Sequence, residues 1–274
     1  MIRFQNITRK AVLIGCPGKR STFLRGVKKD LQQMSRFLQS NKGGAWKRDE
    51  IILLDNPSVH ETVNIIQALL ADYLLIYFSG HGYTDILSNN RMISLRDGNI
   101  PDWQLLNESP RQLVLVDACR NYLAPGLSGI PAFEDSIDHF EGAPAYELFS
   151  ECIAMSPHGS LIVHATQEGK YSYDSPNGGY FTQALMHVST RMNTDTDYSP
   201  CSIKSILAHV PKVLKSMGNT QTPVISYTSG VLRVPFAFGS VSPTLCTIKN
   251  SNDELAGTLL LTFILLGVVI AATN

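Results

Sequence analysis

The sequence has few cysteines and lacks the paired spacing that disulfide frameworks and zinc sites require. No two cysteines form a Cys-x-x-Cys pair, and the five are widely spaced: Cys16, Cys119, Cys152, Cys201 and Cys246. An odd, scattered set argues against a disulfide-stabilised secreted domain and against a structural zinc site. We therefore expect free thiols in a reducing compartment.

The chain also lacks net charge, with 23 Lys and Arg residues against 23 Asp and Glu residues. This balance gives no electrostatic reason to expect nucleic acid as a partner. Lys and Arg are entirely missing from residues 121–169, where acidic residues include Glu134, Asp135 and Asp138. Several Pro and Gly residues and weak periodicity between Tyr122 and His158 predict a long acidic surface linker there.

Residues 255–272 contain no charged residue of either sign and read LAGTLLLTFILLGVVIAA. As a helix these residues would span roughly 27 Å, close to the ~30 Å hydrocarbon core of a bilayer. The segment is apolar on every face, which favours a transmembrane tail anchor over a buried helix of a soluble domain. The N-terminus does not resemble a signal peptide, and Lys and Arg precede the segment, so we expect the rest of the chain to lie in the cytoplasm.

Apolar runs of strand length alternate with amphipathic segments in the rest of the chain. Strands are predicted at residues 10–16, 50–54, 73–78, 112–116 and 160–165. Helices are predicted at residues 24–39, 58–70, 181–190 and 202–215, with a capping box at Ser58 and a break or kink at Pro211. This alternation predicts an α/β fold with a mainly parallel sheet flanked by helices.

Two of the predicted strands run directly into reactive residues. YLLIYF is followed by Ser79-Gly80-His81-Gly82, and QLVLV by Asp117-Ala118-Cys119-Arg120. In open α/β sheets, sites form at the carboxyl ends of strands, so neighbouring strands would bring His81 and Cys119 to one crevice. A histidine beside a cysteine lowers the thiol pKa and can protonate a leaving amine, while the N–H groups of Gly82 and Cys119 could stabilise an oxyanion.

These motifs identify a resemblance to the caspase-like peptidase family, in its metacaspase, paracaspase and bacterial branches. The resemblance covers roughly residues 10–235 and includes KAVLIGC, LRGVKKDLQQM, LLIYFSGHG, QLVLVDACRN, HATQEGKYSYD, NGGYFTQAL and QTPVIS. It implies the caspase-type fold, a catalytic pair of His81 and Cys119 without a third side chain, and hydrolysis of peptide bonds.

The residue two positions before the cysteine suggests the substrate. The caspase signature has Gln at this position, in a pocket for an acidic side chain, whereas this chain has Asp117. Asp30, Ser79 and Asp117 resemble metacaspase positions, which implies a pocket (S1) for Arg or Lys at P1, the substrate residue before the cut. Carboxylates form strong charge-assisted hydrogen bonds with guanidinium groups. Asp30 could instead be a solvated helix residue, and Asp117 a structural carboxylate.

The resemblance also divides the chain. A peptidase domain covers residues 1–240, with a large part at 1–120, a linker at 121–159 and a small part at 160–240. A juxtamembrane linker at 241–254 leads to the membrane segment at 255–272. Val27 and Arg120-Asn121 depart from the metacaspase pattern, and the latter matches bacterial relatives.

Neither a metal site nor a required cofactor is predicted, and the calcium dependence that occurs among metacaspases stays open. Two alternatives also remain open: an inactive caspase-like membrane scaffold, and a Cys–His hydrolase specific for Asp or Asn at P1. Because residues 121–169 contain no Lys or Arg, an enzyme specific for basic residues could not cut its own linker. We therefore expect a protease active as one chain, whose activating ligand or partner the sequence does not identify.

Overall fold

The strands of the protein were assigned in a computed structural model, which describes residues 7–120, 143–194, 198–230 and 233–240. They are β1 (Arg9–Cys16), β2 (Ile51–Asp55), β3 (Tyr73–Gly80), β4 (Gly82–Thr84), β5 (Arg91–Ser94), β6 (Asn99–Pro101), β7 (Arg111–Asp117), β8 (Gly159–His164), β9 (Asp174–Ser175), β10 (Gly178–Gly179), β11 (Pro200–Ser202), β12 (Val224–Gly230) and β13 (Pro235–Phe238).

The α-helices connect and cover these strands. They are α1 (Val27–Gln39), α2 (Val59–Ala68), α3 (Ala143–Met155), α4 (Tyr180–Arg191), α5 (Ile203–Leu207) and α6 (Val210–Ser216). Helix α2 begins at the predicted capping box, since the Ser58 side chain accepts from the Glu61 N–H and the Glu61 carboxylate accepts from the Ser58 N–H. Pro211 lies in the first turn of α6, so the predicted helix at 202–215 is two helices.

Six strands form the central sheet, in the order β12-β8-β7-β3-β1-β2. All neighbouring pairs are parallel except β12 with β8, which are antiparallel. Every residue of β3 and β7 is buried, as their continuous apolar sequence predicts for strands covered on both faces. The predicted α/β fold with a mainly parallel sheet is therefore confirmed.

A small sheet, β4-β5-β6, follows β3 directly and was not predicted from the sequence. Its strands are three or four residues long, too short for a clear periodic pattern. It is antiparallel and packs Ile93 and Ile100 into the second of the two apolar cores. The unit that begins at Gly82 is thus attached to one face of the central sheet.

Helix α3 corrects the prediction of a surface linker extending to residue 158. Its apolar residues Ala145, Phe149 and Ile153 recur every four positions and are buried. The Phe149 ring packs against Trp46, Tyr73 and Phe238, with ring centroids 5.8, 6.2 and 5.9 Å away. The second half of the predicted linker is therefore part of the core, and its first half, residues 121–142, lies outside the described residues.

Within the parts of the chain that the structure describes, no helix is long and apolar enough to cross a membrane. The predicted segment at residues 255–272 and the juxtamembrane linker at 241–254 lie outside those parts.

The packing of α3 generates a stability prediction. Phe149→Ala should lower the free energy of unfolding by about 3–5 kcal/mol, because it removes a fully buried aromatic ring and leaves a cavity. The matched control is Leu148→Ala in the same helix, where the side chain is 37% exposed and the expected loss is below about 1 kcal/mol. Urea unfolding followed by circular dichroism measures both, and equal losses would contradict the assignment of α3 to the core.

Candidate active site

Two adjacent strands bring the predicted site residues to one edge of the sheet. Ser79 on β3 pairs in parallel register with Asp117 on β7. His81 and Cys119 each follow two residues later, so both lie just beyond the carboxyl ends of neighbouring strands. The predicted placement of these residues around one crevice agrees with this register.

The His81 ring is oriented by a backbone group. Its Nε2 atom lies 2.6 Å from the carbonyl oxygen of Thr22, which can only accept a hydrogen bond. Nε2 is therefore the protonated nitrogen, which leaves Nδ1 as the base. Gly18 lies against the same ring: its φ is +80°, and a Cβ there would come within 2.6 Å of Nε2.

Cys119 is partly buried, and its Sγ donates to the carbonyl oxygen of Ser172 at 3.1 Å. Burial raises the pKa of the Cys119 thiol, and the nearby carboxylates of Asp117 and Asp174 raise it further. A raised pKa favours the neutral thiol over the thiolate. Nucleophilic attack from this state requires a base to remove the proton.

The backbone of Gly82 lies against the Cys119 loop. A Cβ at Gly82 would come within 2.9 Å of the Ala118 Cβ and 3.1 Å of the Cys119 carbonyl oxygen. Gly82 pairs with Ile93, while the Ser94 N–H donates to the His81 carbonyl. This pattern makes Gly82 and Ile93 a non-hydrogen-bonded pair and turns the Gly82 N–H away from β5. The Gly82 N–H is thus not used in the pairing of β4 with β5, and an oxyanion donor must be free of such pairing.

Asp30 lies on α1 and is buried, so the alternative of a solvated helix residue is wrong. Its carboxylate accepts from the Ser79 hydroxyl at 2.7 Å and from the Gly179 N–H at 2.8 Å. Burial raises the pKa of Asp30, and the charge of Asp117 raises it further. The structure therefore brings the three predicted pocket residues Asp30, Ser79 and Asp117 together.

Asp117 is held by three hydrogen bonds. Its two oxygens accept from the hydroxyls of Ser172 and Thr182, both at 2.7 Å, and from the Thr182 N–H at 3.2 Å. Burial nevertheless raises the pKa of Asp117 to about 6, and the charge of Asp174 contributes. The carboxylate is held in place but is destabilised in its charged form.

Asp174 is a third carboxylate of this cluster, and no role for it was predicted from the sequence. It lies on β9 and accepts from the Gly26 N–H at 3.1 Å, and burial raises its pKa. The β9–β10 hairpin approaches the other two carboxylates so closely that a Cβ at Gly178 would collide with Asp30, and one at Gly179 with Asp117. The segment HATQEGKYSYD contains Asp174, but only the folded hairpin shows what it faces.

Across the described ranges, no group of three or more His, Cys, Asp or Glu side chains is arranged to hold a metal ion. Cys16, Cys119, Cys152 and Cys201 are free thiols, and Cys246 lies outside those ranges.

A mainly parallel α/β sheet with a histidine and a cysteine after adjacent strands defines a caspase-like cysteine peptidase class. A family model described as caspase domain matches residues 8–231. The chain is also similar in fold to caspase-1 from Spodoptera frugiperda, with a TM-score of 0.55 and 17% identity, over 87% of this chain and 93% of that one. No curated protein matches the sequence significantly.

The chain therefore belongs to the caspase-domain family of cysteine peptidases.

The carboxylate cluster generates a stability prediction. Above pH 6 the Asp117 carboxylate is ionised in the folded protein at an energetic cost, so Asp117→Asn should raise the free energy of unfolding at pH 7.5 by the order of 2 kcal/mol. The gain should shrink as pH falls through 6 towards 4, because the folded wild type then binds the proton. An Asn side chain can keep the contacts with Thr182 and Ser172, since its amide can donate to a hydroxyl.

Thermal unfolding of both proteins between pH 4 and 8 measures the effect. A gain that does not depend on pH, or a loss at pH 7.5, would show that the ionised Asp117 carboxylate does not destabilise the folded protein.

Proposed function

We propose that the protein is a cysteine endopeptidase that cuts peptide bonds after Arg or Lys, with His81 and Cys119 as its catalytic pair. The observation that carries the proposal is the cluster of three carboxylates, Asp30, Asp117 and Asp174, beside the reactive cysteine. Buried like charges with raised pKa values are typical of functional sites. Such charges destabilise the folded protein, and binding of an opposite charge removes that destabilisation.

A guanidinium or ammonium group at P1 supplies that opposite charge. Asp174 is the most accessible of the three carboxylates, while Asp30 and Asp117 are almost fully buried. An Arg side chain that reaches this cluster gains charge-assisted hydrogen bonds in a site of low dielectric constant. An Asp side chain would add a further negative charge there, which costs several kcal/mol.

In this proposal His81 and Cys119 carry out the chemistry together. His81 Nδ1 takes the proton from the Cys119 thiol, and the thiolate attacks the carbonyl carbon of the P1 residue. The N–H groups of Gly82 and Cys119 stabilise the oxyanion. His81 then gives its proton to the leaving amine, and water hydrolyses the acyl-enzyme to release the new carboxyl terminus and the free thiol.

We also propose that residues 255–272 anchor the protein in a membrane, with the peptidase domain in the cytoplasm. The support is the uncharged run of 18 residues and the abundance of Lys and Arg before it. Its substrates would then be proteins with basic residues near that membrane surface.

Substrate preference is the direct test of the peptidase proposal. On a panel of peptides that differ only at P1, Arg and Lys should be cleaved more than about a hundredfold faster in kcat/KM than Asp or Asn. Cys119→Ala should abolish turnover, and Asp174→Asn should weaken the preference for Arg. The Asp49→Asn variant, which removes an exposed carboxylate next to Glu50 just before β2, serves as the control and should keep the preference.

Equal cleavage after Asp and Arg would overturn the pocket assignment. Turnover that survives Cys119→Ala would overturn the catalytic pair. A well-folded protein that cleaves no peptide, and whose Cys119 resists alkylation, would favour the inactive scaffold.

Membrane extraction tests the anchor. The full chain should stay in the membrane pellet in high salt and in alkaline carbonate, because an apolar helix is held by burial and not by charge. A chain that ends at Asn250 should be released into the supernatant. Release of the full chain by salt alone would contradict the anchor.

A further inference from the structure

A second buried polar cluster lies outside the carboxylate pocket and centres on Asp102. This residue directly follows β6 and is 1% exposed. Its Oδ2 atom accepts from His164 Nε2 at 2.9 Å and from Arg91 Nε at 2.8 Å. No role for any of these three residues was predicted from the sequence.

Two members of this cluster belong to the small sheet that begins at Gly82. Arg91 opens β5 and pairs with Thr84 on β4, two positions along from the pair of Ile93 with Gly82. Asp102 follows β6, the strand that pairs with β5. Arg91 and Asp102 are therefore fixed to the unit that carries Gly82 and is continuous with His81.

The third member belongs to the part of the central sheet that carries the cysteine. His164 ends β8 and pairs with Val116 on β7, three residues before Cys119. The bond from His164 to Asp102 thus joins the His81 side of the site to the Cys119 side. A second bond runs in parallel, from the Thr84 hydroxyl to the Arg120 carbonyl oxygen at 3.3 Å.

The charges in this junction are set by its surroundings. Burial alone would raise the pKa of Asp102, but the hydrogen bonds from His164 and Arg91 hold it below its usual value. Burial lowers the pKa of His164, so the imidazole is neutral and donates through Nε2. The junction is therefore a carboxylate that accepts from one cation and one neutral donor. Loss of either donor would leave the buried charge of Asp102 less stabilised.

We propose that Asp102, Arg91 and His164 act as positioning residues that set the distance between His81–Gly82 and Cys119. This inference rests on the proposed peptidase function, because the distance matters only if the pair performs catalysis. A shift of about 1 Å between reacting groups can lower a rate about a hundredfold. The carboxylate pocket is held by separate bonds, from Ser79, Thr182 and Gly179, so binding of the P1 side chain does not depend on this junction.

The principal test is Asp102→Asn, which keeps the shape and removes the charge. We expect kcat to fall at least tenfold while KM for an Arg substrate changes less than threefold. The rate of Cys119 alkylation by iodoacetamide, followed by peptide mass mapping, should fall towards that of His81→Ala. The alkylation rate does not depend on peptide turnover, so it separates failure of this inference from failure of the proposed peptidase function.

A second buried ion pair provides the matched control. Arg9 donates to Glu50 at 3.1 Å, and both are buried at the amino-terminal edge of the sheet. Arg9 begins β1, seven residues and roughly 23 Å before the carboxyl end of that strand. Glu50→Gln should lower thermal stability as Asp102→Asn does, yet leave kcat and the alkylation rate unchanged.

Arg91 keeps the inference testable if Asp102→Asn does not fold, because its side chain is 28% exposed. Arg91→Lys keeps a cation beside Asp102 and should retain most of kcat, whereas Arg91→Met should lose it. A folded Asp102→Asn protein with wild-type kcat and alkylation rate would overturn the inference. A loss of kcat in Glu50→Gln as large as that in Asp102→Asn would also overturn it. So would equal losses of kcat in Arg91→Lys and Arg91→Met, since either result would indicate a general loss of stability.

Discussion

The parallel pairing of β3 with β7 is the constraint on which the rest of the site depends. Both strands are buried along their whole length, so their register is determined by apolar packing on two faces. That register places Ser79 opposite Asp117 and brings the two reactive residues to the same edge. A slip of one residue would turn the pocket side chains to the other face of the sheet.

The second constraint is electrostatic and opposes the first. Asp30 and Asp117 lie within the apolar packing that fixes the register, where ionised carboxylates are unfavourable. Hydrogen bonds from Ser79, Ser172, Thr182 and Gly179 hold the two side chains in place. In our proposal the stability lost here is recovered when a basic substrate side chain neutralises the cluster, which is the usual relation between stability and function at an active site.

The two halves of the site belong to different structural units. Ser79 and His81 come from one strand end, and Gly82 opens a small antiparallel sheet. Cys119 follows the neighbouring strand, and Ser172 and Asp174 come from a loop and a hairpin more than 50 residues further on. In our proposal, contacts between these units, such as the bond from His164 to Asp102, help to fix the geometry of the site.

The sequence by itself determined the α/β class, the main strands and the pair of motifs that end in His81 and Cys119, because continuous apolar runs and local motifs are properties of neighbouring residues. Only the tertiary structure decided the rest. The Thr22 carbonyl that orients His81 is a backbone group with no residue signature. Asp174 and Asp102 acquire their surroundings through contacts between distant segments. Helix α3 belongs to the core because its apolar side chains pack against Trp46 and Phe238. Such contacts depend on how the chain closes in space, which sequence periodicity does not encode.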